Sequence, residues 1–354
     1  MPGRRPDGAS HGAGRAVVLG AGAGAAAGLA GVAALRARRR RGELAPGAPG
    51  RPEHAGELAL PEGARHLDVP VRDGGSIHVV EHGAGPPILL VHGITLQAAV
   101  WAGQLRDLGP RHRMIALDVR GHGASVPGGA GLTIAAVADD IADVLEAFDL
   151  RSVTVAGHSM GGMALLRFLR RHARVVAERV GALAVVSSSG GLDLPFGSGG
   201  RLVPRAAELA VAGHRRIDRP GSVLLPGGAA GERLARMAFG QRPAPEAVRR
   251  TLDLSREMAP ASFVAFLPEL ARFDEKAPFD PPGVPSVVVV GDRDRLTPPR
   301  YGAAVARSLP GSRLVVWRGA GHMLMYERRE GLDWLLDELS GAAAGGRDLA
   351  ADPR

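Results

Sequence analysis

The sequence predicts an α/β fold: a doubly wound, mostly parallel, eight-stranded sheet with a helical cap insertion. From Arg65 onward, short β-type runs alternate with helical stretches, which is typical of strand–helix–strand units. Several β-type runs are unbroken Val, Ile and Leu, as expected for strands buried on both faces of a parallel sheet. The alternation stops between residues 191 and 279, where Pro- and Gly-rich turns separate helix-like pieces.

Eight segments are predicted to be strands, and the first two should pair as a hairpin because no helical stretch separates them. In chain order they are residues 67–71, 77–81, 87–91, 114–118, 153–156, 182–187, 286–290 and 313–317. Helices are predicted at residues 97–108, 134–148, 160–172, 300–308 and 327–339. The insertion, about residues 191–279, should form a mostly helical cap over the carboxyl edge of the sheet, with helical pieces at 231–239, 246–258 and 262–273.

Composition divides the chain into an N-terminal apolar and basic segment with a linker (1–64), a folded domain (65–340) and a flexible tail (341–354). Residues 1–52 hold nine arginines and two acids, and so carry seven of the eight net positive charges. The folded domain is therefore almost neutral, which argues against a nucleic-acid-binding face. The absence of cysteine excludes disulfides, thiolate metal sites and a cysteine nucleophile.

Residues 16–35 form a run of twenty residues without a charged or polar side chain, which is long enough to span a bilayer. Fourteen of the twenty are Gly or Ala, so the run is only weakly hydrophobic. Arg36 and the arginines at 38–41 follow it directly. We expect an uncleaved membrane anchor with the folded domain on the cytoplasmic side. The alternatives are peripheral binding through the arginine cluster, or a Gly/Ala-rich tail on a cytoplasmic protein.

The strongest functional signal is the string Gly157-His158-Ser159-Met160-Gly161, which lies between a β-type run and a helical run. A nucleophilic serine at such a turn has a strained backbone that lifts its side chain above the sheet, and the two glycines leave room for the strand and helix around it. The following helix directs its N-terminus at the site, which favours developing negative charge. The pattern predicts Ser159 as a nucleophile.

Four further motifs each follow a predicted strand. They are His92-Gly93-Ile94-Thr95 after the third strand, Asp118-Val119-Arg120-Gly121-His122-Gly123-Ala124-Ser125 after the fourth, Gly291-Asp292-Arg293-Asp294 after the seventh, and Gly319-Ala320-Gly321-His322 after the last, with Glu327 five residues later. With the serine turn, these motifs make residues 65–339 resemble the α/β-hydrolase fold family. That family orders its nucleophile, acid and histidine along the chain in this way.

The resemblance implies a catalytic triad of Ser159, Asp294 and His322. The family pattern selects Asp294 as the acid, with Asp292 as its competitor. The backbone amides of Ile94 and Met160 would form the oxyanion hole. The side chain of His92 should only shape its loop, and the segment from Asp118 to Ser125, including His122, should be a structural turn that supports the serine.

These assignments predict acyl transfer to water through an acyl-enzyme, with a small-molecule carboxylic ester as the default substrate. The same triad could serve thioester, lactone, amide, C–C bond or peracid chemistry, and a non-catalytic ligand-binding member is the alternative from another class. No cofactor and no metal are expected. The cap should line the acyl pocket, with candidates at Phe196, Met237, Phe239, Met258, Phe263 and Phe266.

Overall fold

The computed structural model describes residues 58–191, 224–279 and 284–345 of the chain. The predicted membrane segment 16–35, the arginine cluster after it and Phe196 of the cap lie outside these residues. Within the described ranges, no helix combines the length and the apolar character needed to cross a membrane.

Eight strands form one sheet, as predicted. They are β1 (Arg65–Pro70), β2 (Ser76–His82), β3 (Pro87–Val91), β4 (Arg113–Leu117), β5 (Val153–His158), β6 (Val180–Val186), β7 (Ser286–Gly291) and β8 (Arg313–Trp317). Their order across the sheet is β1-β2-β4-β3-β5-β6-β7-β8. The hairpin of β1 and β2 is antiparallel, β2 also pairs antiparallel with β4, and all remaining pairs are parallel.

Side chains alternate along each strand, so apolar strands present an apolar surface on both faces of the sheet. Helices cover both of these faces. Leu89 and Val91 of β3 lie in the apolar core that also contains residues of α2 and α3, whereas Ile88 and Leu90 face the core shared with α1 and α10. The helices outside the cap are α1 (Ala102–Leu108), which follows the 3₁₀ turn Ala98–Trp101, α2 (Ile134–Ala147), α3 (Met160–Arg171), α4 (Ala173–Arg179), α8 (Pro299–Ser308), the short α9 (Leu324–Glu327) and α10 (Arg329–Gly345). Burial on both faces explains the unbroken apolar strand sequences.

The folded domain is longer at both ends than the predicted range 65–340. Leu58 is buried against the core that contains α1 and α10. At the other end, α10 continues to Gly345, five residues beyond the predicted end of the domain. The alanine-rich end favours helix and packs on the sheet: Ala342 is buried, and a Cβ on Gly181 of β6 would lie 2.6 Å from the Ala343 Cβ.

The described part of the insertion contains three helices, α5 (Gly228–Arg236), α6 (Pro245–Glu257) and α7 (Pro260–Arg272). The chain enters and leaves this region side by side, because the Glu275 amide donates to Gly190 O at 2.6 Å. The Glu275 carboxylate then pairs with Arg167 and Arg170 of α3, at 2.6 and 2.5 Å. The base of the insertion is thus joined to the helix that begins after Ser159.

Candidate active site

Ser159 lies at the sharp turn between β5 and α3. Its backbone has φ 53° and ψ −118°, a region that residues other than glycine rarely adopt. The turn is held by a hydrogen bond from the Ser159 amide to Val186 O at 3.0 Å. Strand and helix pass so closely that a Cβ on Gly157 would lie 2.5 Å from Gly161 O. Such backbone strain at a half-buried turn is typical of a functional position.

Asp294 and His322 form a buried pair on the loops after β7 and β8. Asp294 Oδ2 lies 2.8 Å from His322 Nδ1, and both side chains are almost completely shielded from solvent. Asp294 Oδ1 accepts the amides of Leu296 and Thr297, both at 2.8 Å. The hydroxyl of Thr297 lies 2.8 Å from Asp294 Oδ2 and 2.8 Å from Ser187 O. A carboxylate with this many donors is fixed in place and orients the imidazole through Nδ1.

Asp292, the competing acid, contacts a different part of the same region. Its Oδ1 accepts the amide of Gly319 at 2.6 Å, at the start of the loop that carries His322. Asp292 therefore shapes this loop, whereas the contact with the imidazole itself comes from Asp294.

The loop after β3 approaches the serine closely. A Cβ on Gly93 would lie 2.8 Å from the Ser159 Cβ, and Thr95 has a left-handed backbone with φ 66°. Ile94 lies between these two residues. Met160 is the first residue of α3, where amides have no partner within the helix. The amides of Ile94 and Met160 therefore belong to the two segments that flank Ser159.

Two buried histidines hold the loop at 93–95. His92 Nε2 accepts the Val119 amide at 2.9 Å, so its Nδ1 is the donor toward Gly93 O at 2.7 Å. His122 Nε2 accepts the Thr95 amide at 3.2 Å and its Nδ1 donates to Arg120 O at 3.2 Å. Burial lowers the pKa of His92 to about 4 and that of His122 to about 3, with a contribution from His92 to the latter. Both rings are therefore neutral acceptors at physiological pH.

Comparison with known proteins identifies the family. The family model for the α/β-hydrolase fold matches residues 86–329. The chain belongs to the α/β-hydrolase fold family.

Three relatives illustrate the range of this similarity. A non-heme chloroperoxidase from Kitasatospora aureofaciens is 30% identical over 269 residues, which are 71% of this chain and 90% of that protein. A pimeloyl-[acyl-carrier protein] methyl ester esterase from Nitrosomonas europaea is 27% identical over 70% of this chain and 92% of its own length. The solved structure of a thermophilic esterase from Thermogutta terrifontis superposes with a TM-score of 0.63 and 26% identity, covering 79% of this chain and 99% of that one. The chain is accordingly an α/β-fold hydrolase.

Two further residues, His158 and Thr297, contact His322 or Asp294, and the sequence analysis singled out neither of them. His158 Nε2 donates to the His322 backbone carbonyl at 3.0 Å, and the two rings lie 4.7 Å apart between centroids. Burial, and then the neighbouring His322, holds the pKa of His158 well below its usual value, so the ring is neutral. Their positions inside the motifs, directly before Ser159 and three residues after Asp294, are the available signals.

Several of the cap residues predicted to line the pocket of the hydrolase lie in its apolar cores. Phe239, Met258 and Phe266 are at most 3% exposed. The Phe266 ring packs against His122 at 5.7 Å, and Phe239 stacks on Tyr326 at 6.4 Å between centroids. Met237 and Phe263 are half-buried. The half-buried pair remains the better set of candidates for substrate contact.

Proposed function

We propose that this hydrolase cleaves a carboxylic ester, or a related acyl bond, with Ser159 as nucleophile, His322 as general base and acid, and Asp294 as the acid that orients the histidine. One observation supports the proposal most: the buried 2.8 Å contact of His322 Nδ1 with Asp294 Oδ2, on loops beside a serine with a left-handed backbone. Because Nδ1 binds Asp294, Nε2 is the ring nitrogen left for the serine proton.

In the acylation step, Ser159 Oγ attacks the ester carbonyl carbon while its proton moves to His322 Nε2. The imidazolium then protonates the leaving alkoxide, and the alcohol departs from the acyl-enzyme. Water attacks the acyl-enzyme in the second step, loses a proton to His322 Nε2, and releases the carboxylic acid with a restored Ser159 hydroxyl. Asp294 stays ionised throughout and stabilises the imidazolium that forms twice in each cycle.

The oxyanion of each tetrahedral intermediate is assigned to the amides of Ile94 and Met160. The close approach of Gly93 to Ser159 supports this placement, as does the position of Met160 at the N-terminus of α3. Preorganised donors of this kind contribute about 3–4 kcal/mol each to transition-state stabilisation.

We propose an ester rather than another acyl bond because two of the proteins compared above, at 26–27% identity, are named as esterases. The 30% identity to a chloroperoxidase favours one second candidate, peracid formation on the same triad. There, hydrogen peroxide replaces water in attacking the acyl-enzyme, and the products are a peracid and the free serine. Turnover of peroxide with acetate, measured as halide oxidation by the peracid, separates this activity from plain hydrolysis.

Ser159→Ala tests the proposal by removing the nucleophile. On a panel of p-nitrophenyl esters and thioesters, kcat should fall about a million-fold on the best substrate. Ser312→Ala is the matched control, because its hydroxyl bonds Ala306 O, remote in sequence from the serine turn and the two catalytic loops. Circular dichroism confirms that both variants fold. Residual activity above a percent in Ser159→Ala would contradict the assignment, and a folded wild-type chain that turns over no acyl substrate would favour the ligand-binding alternative.

A further inference from the structure

The cap is hydrogen-bonded directly to the loop that carries His322. The His322 amide donates to Ala238 O at 2.7 Å, and the Gln241 amide donates to Gly319 O at 2.8 Å. Residues 238–241 follow helix α5, whereas 319–322 follow β8. The two segments touch at glycines, since a Cβ on Gly240 would overlap Gly319 O. The position of the catalytic-histidine loop is therefore set in part by the cap.

One carboxylate closes this junction. Glu327 Oε2 accepts the Gly240 amide of the cap at 2.7 Å and lies 3.0 Å from the Gly321 amide. Glu327 Oε1 lies 3.0 Å from the same Gly321 amide and 3.3 Å from the Met323 amide. The side chain thus receives donors from both residues that flank His322 and from the cap.

The chemistry of this arrangement requires an acceptor at both oxygens. An ionised carboxylate accepts hydrogen bonds at both oxygens. A protonated carboxyl or an amide instead places a donor where one oxygen was, and this donor faces backbone N–H groups that need an acceptor. Burial raises the pKa of Glu327 to about 7, against the three amides and Arg328, which lower it. Above pH 7 the side chain is therefore mainly an ionised, buried carboxylate that three backbone donors surround.

We propose that Glu327 is a positioning residue, which holds His322 in register for proton transfer by joining the histidine loop to cap residues 238–241. The inference rests on the proposed function, because it assigns His322 the role of general base. Glu327 acts only through the backbone on either side of His322 and contacts no reacting atom. A small displacement of the imidazole affects proton transfer strongly, since about 1 Å of misplacement can lower a rate about a hundred-fold.

Glu327→Gln tests the proposal with an almost isosteric change. At pH 8.5, where the carboxylate is ionised, kcat should fall by about 10- to 100-fold while KM stays within about two-fold. The rate at which a fluorophosphonate labels Ser159 should fall in parallel, because that reaction also depends on His322. Glu338→Gln is the matched control: it removes a carboxylate of α10 that pairs with Arg313 at 2.5 Å, and kcat should stay within about two-fold of the wild type.

A purely structural role predicts a different pattern. In that case Glu327→Gln would lower the melting temperature but leave kcat and the labelling rate of the folded protein unchanged, and this result would overturn the proposal. If Glu327→Gln does not fold, Glu327→Asp serves instead, because it keeps the charge and withdraws the acceptor by one methylene. Its kcat should fall with KM unchanged, and a wild-type kcat in folded Glu327→Asp would also overturn the proposal.

Failure of the proposed function would look different from either result. If Ser159 is not the nucleophile, the wild type itself carries no fluorophosphonate on Ser159. If only the role of Glu327 is wrong, the wild type is labelled at Ser159 and Glu327→Gln is labelled at the same rate.

Discussion

The two loops that flank Ser159 are positioned by opposite kinds of side chain. On the side of the proposed oxyanion hole, called the oxyanion side below, two neutral imidazoles, those of His92 and His122, accept backbone amides and fix residues 93–95. On the side of His322, three carboxylates do the same work: Asp292 accepts from Gly319, Asp294 from residues 296 and 297, and Glu327 from residues 240, 321 and 323.

The charge that develops on each side during the proposed reaction explains this difference. An oxyanion would form beside residues 93–95, and a fixed negative charge there would repel it, whereas a neutral imidazole does not. An imidazolium would form at His322, and nearby carboxylates stabilise it. In the proposed mechanism, each loop is therefore held by side chains that suit the charge developing beside it.

The largest effect is expected from substituting the two aspartates on the side of His322. Asp294→Asn should lower kcat about ten-thousand-fold, because the amide misorients the imidazole or fixes the wrong tautomer. Asp292→Asn should lower it far less, since Asp292 bonds the Gly319 amide and pairs with Arg293 rather than with the imidazole. Steady-state kinetics on one p-nitrophenyl ester compares the two variants. The reverse ranking would transfer the role of the acid to Asp292.

Gly93→Ala perturbs the oxyanion side without adding a charge. The new methyl group would lie 2.8 Å from the Ser159 Cβ, so the loop that carries the Ile94 amide must move. We expect kcat to fall about 100- to 1,000-fold, as when an oxyanion donor is lost. Gly129→Ala is the control, because its methyl group would meet only Asp73 O at 3.6 Å. Equal kcat in the wild type and Gly93→Ala would remove this loop from the oxyanion hole.

The neutral histidines make the oxyanion side sensitive to acid. Their pKa values, about 4 for His92 and about 3 for His122, are below the unfolded value of 6.5. The unfolded chain therefore takes up protons first, so this stabilisation is complete above pH 6.5 and is lost as the pH falls toward 4. His122→Gln keeps an acceptor for Thr95 and should reduce the loss of unfolding free energy between pH 7 and 4 by on the order of 3 kcal/mol. Urea titrations at several pH values measure it, and an unchanged pH dependence would contradict neutral binding of His122.

The smallest expected effect concerns the cap. Phe263→Ala, at a half-buried position, should change the preference for acyl-chain length by about 1–3 kcal/mol at most. Phe266→Ala, at a fully buried position against His122, should instead lower stability by about 3–5 kcal/mol with little change in preference. Relative kcat/KM over a series of esters, with melting temperatures, distinguishes the two. A loss of stability without altered preference in Phe263→Ala would assign that residue to the core as well.

The strands and the motif residues could be predicted because their signals are local. Val, Ile and Leu runs mark strands buried on both faces, and the glycines around Ser159 mark a close strand–helix crossing. The contacts that position the loops could not be predicted, because they join distant residues. Glu327 and Gly240 are 87 positions apart, and His158 and His322 are 164 apart. Asp292 and Asp294 differ in burial and in the loop atoms they reach, and both depend on the packed structure of the loops.

The central claim, that Ser159 is the residue on which both loops converge, is tested most directly by mapping covalent modification. A fluorophosphonate probe should modify the full-length wild-type protein once, and peptide mass spectrometry should place the adduct on Ser159. His322→Ala should slow the labelling strongly, because the base that activates the serine is lost. An adduct on any other residue, or an active wild-type enzyme that stays unmodified at Ser159, would contradict the account.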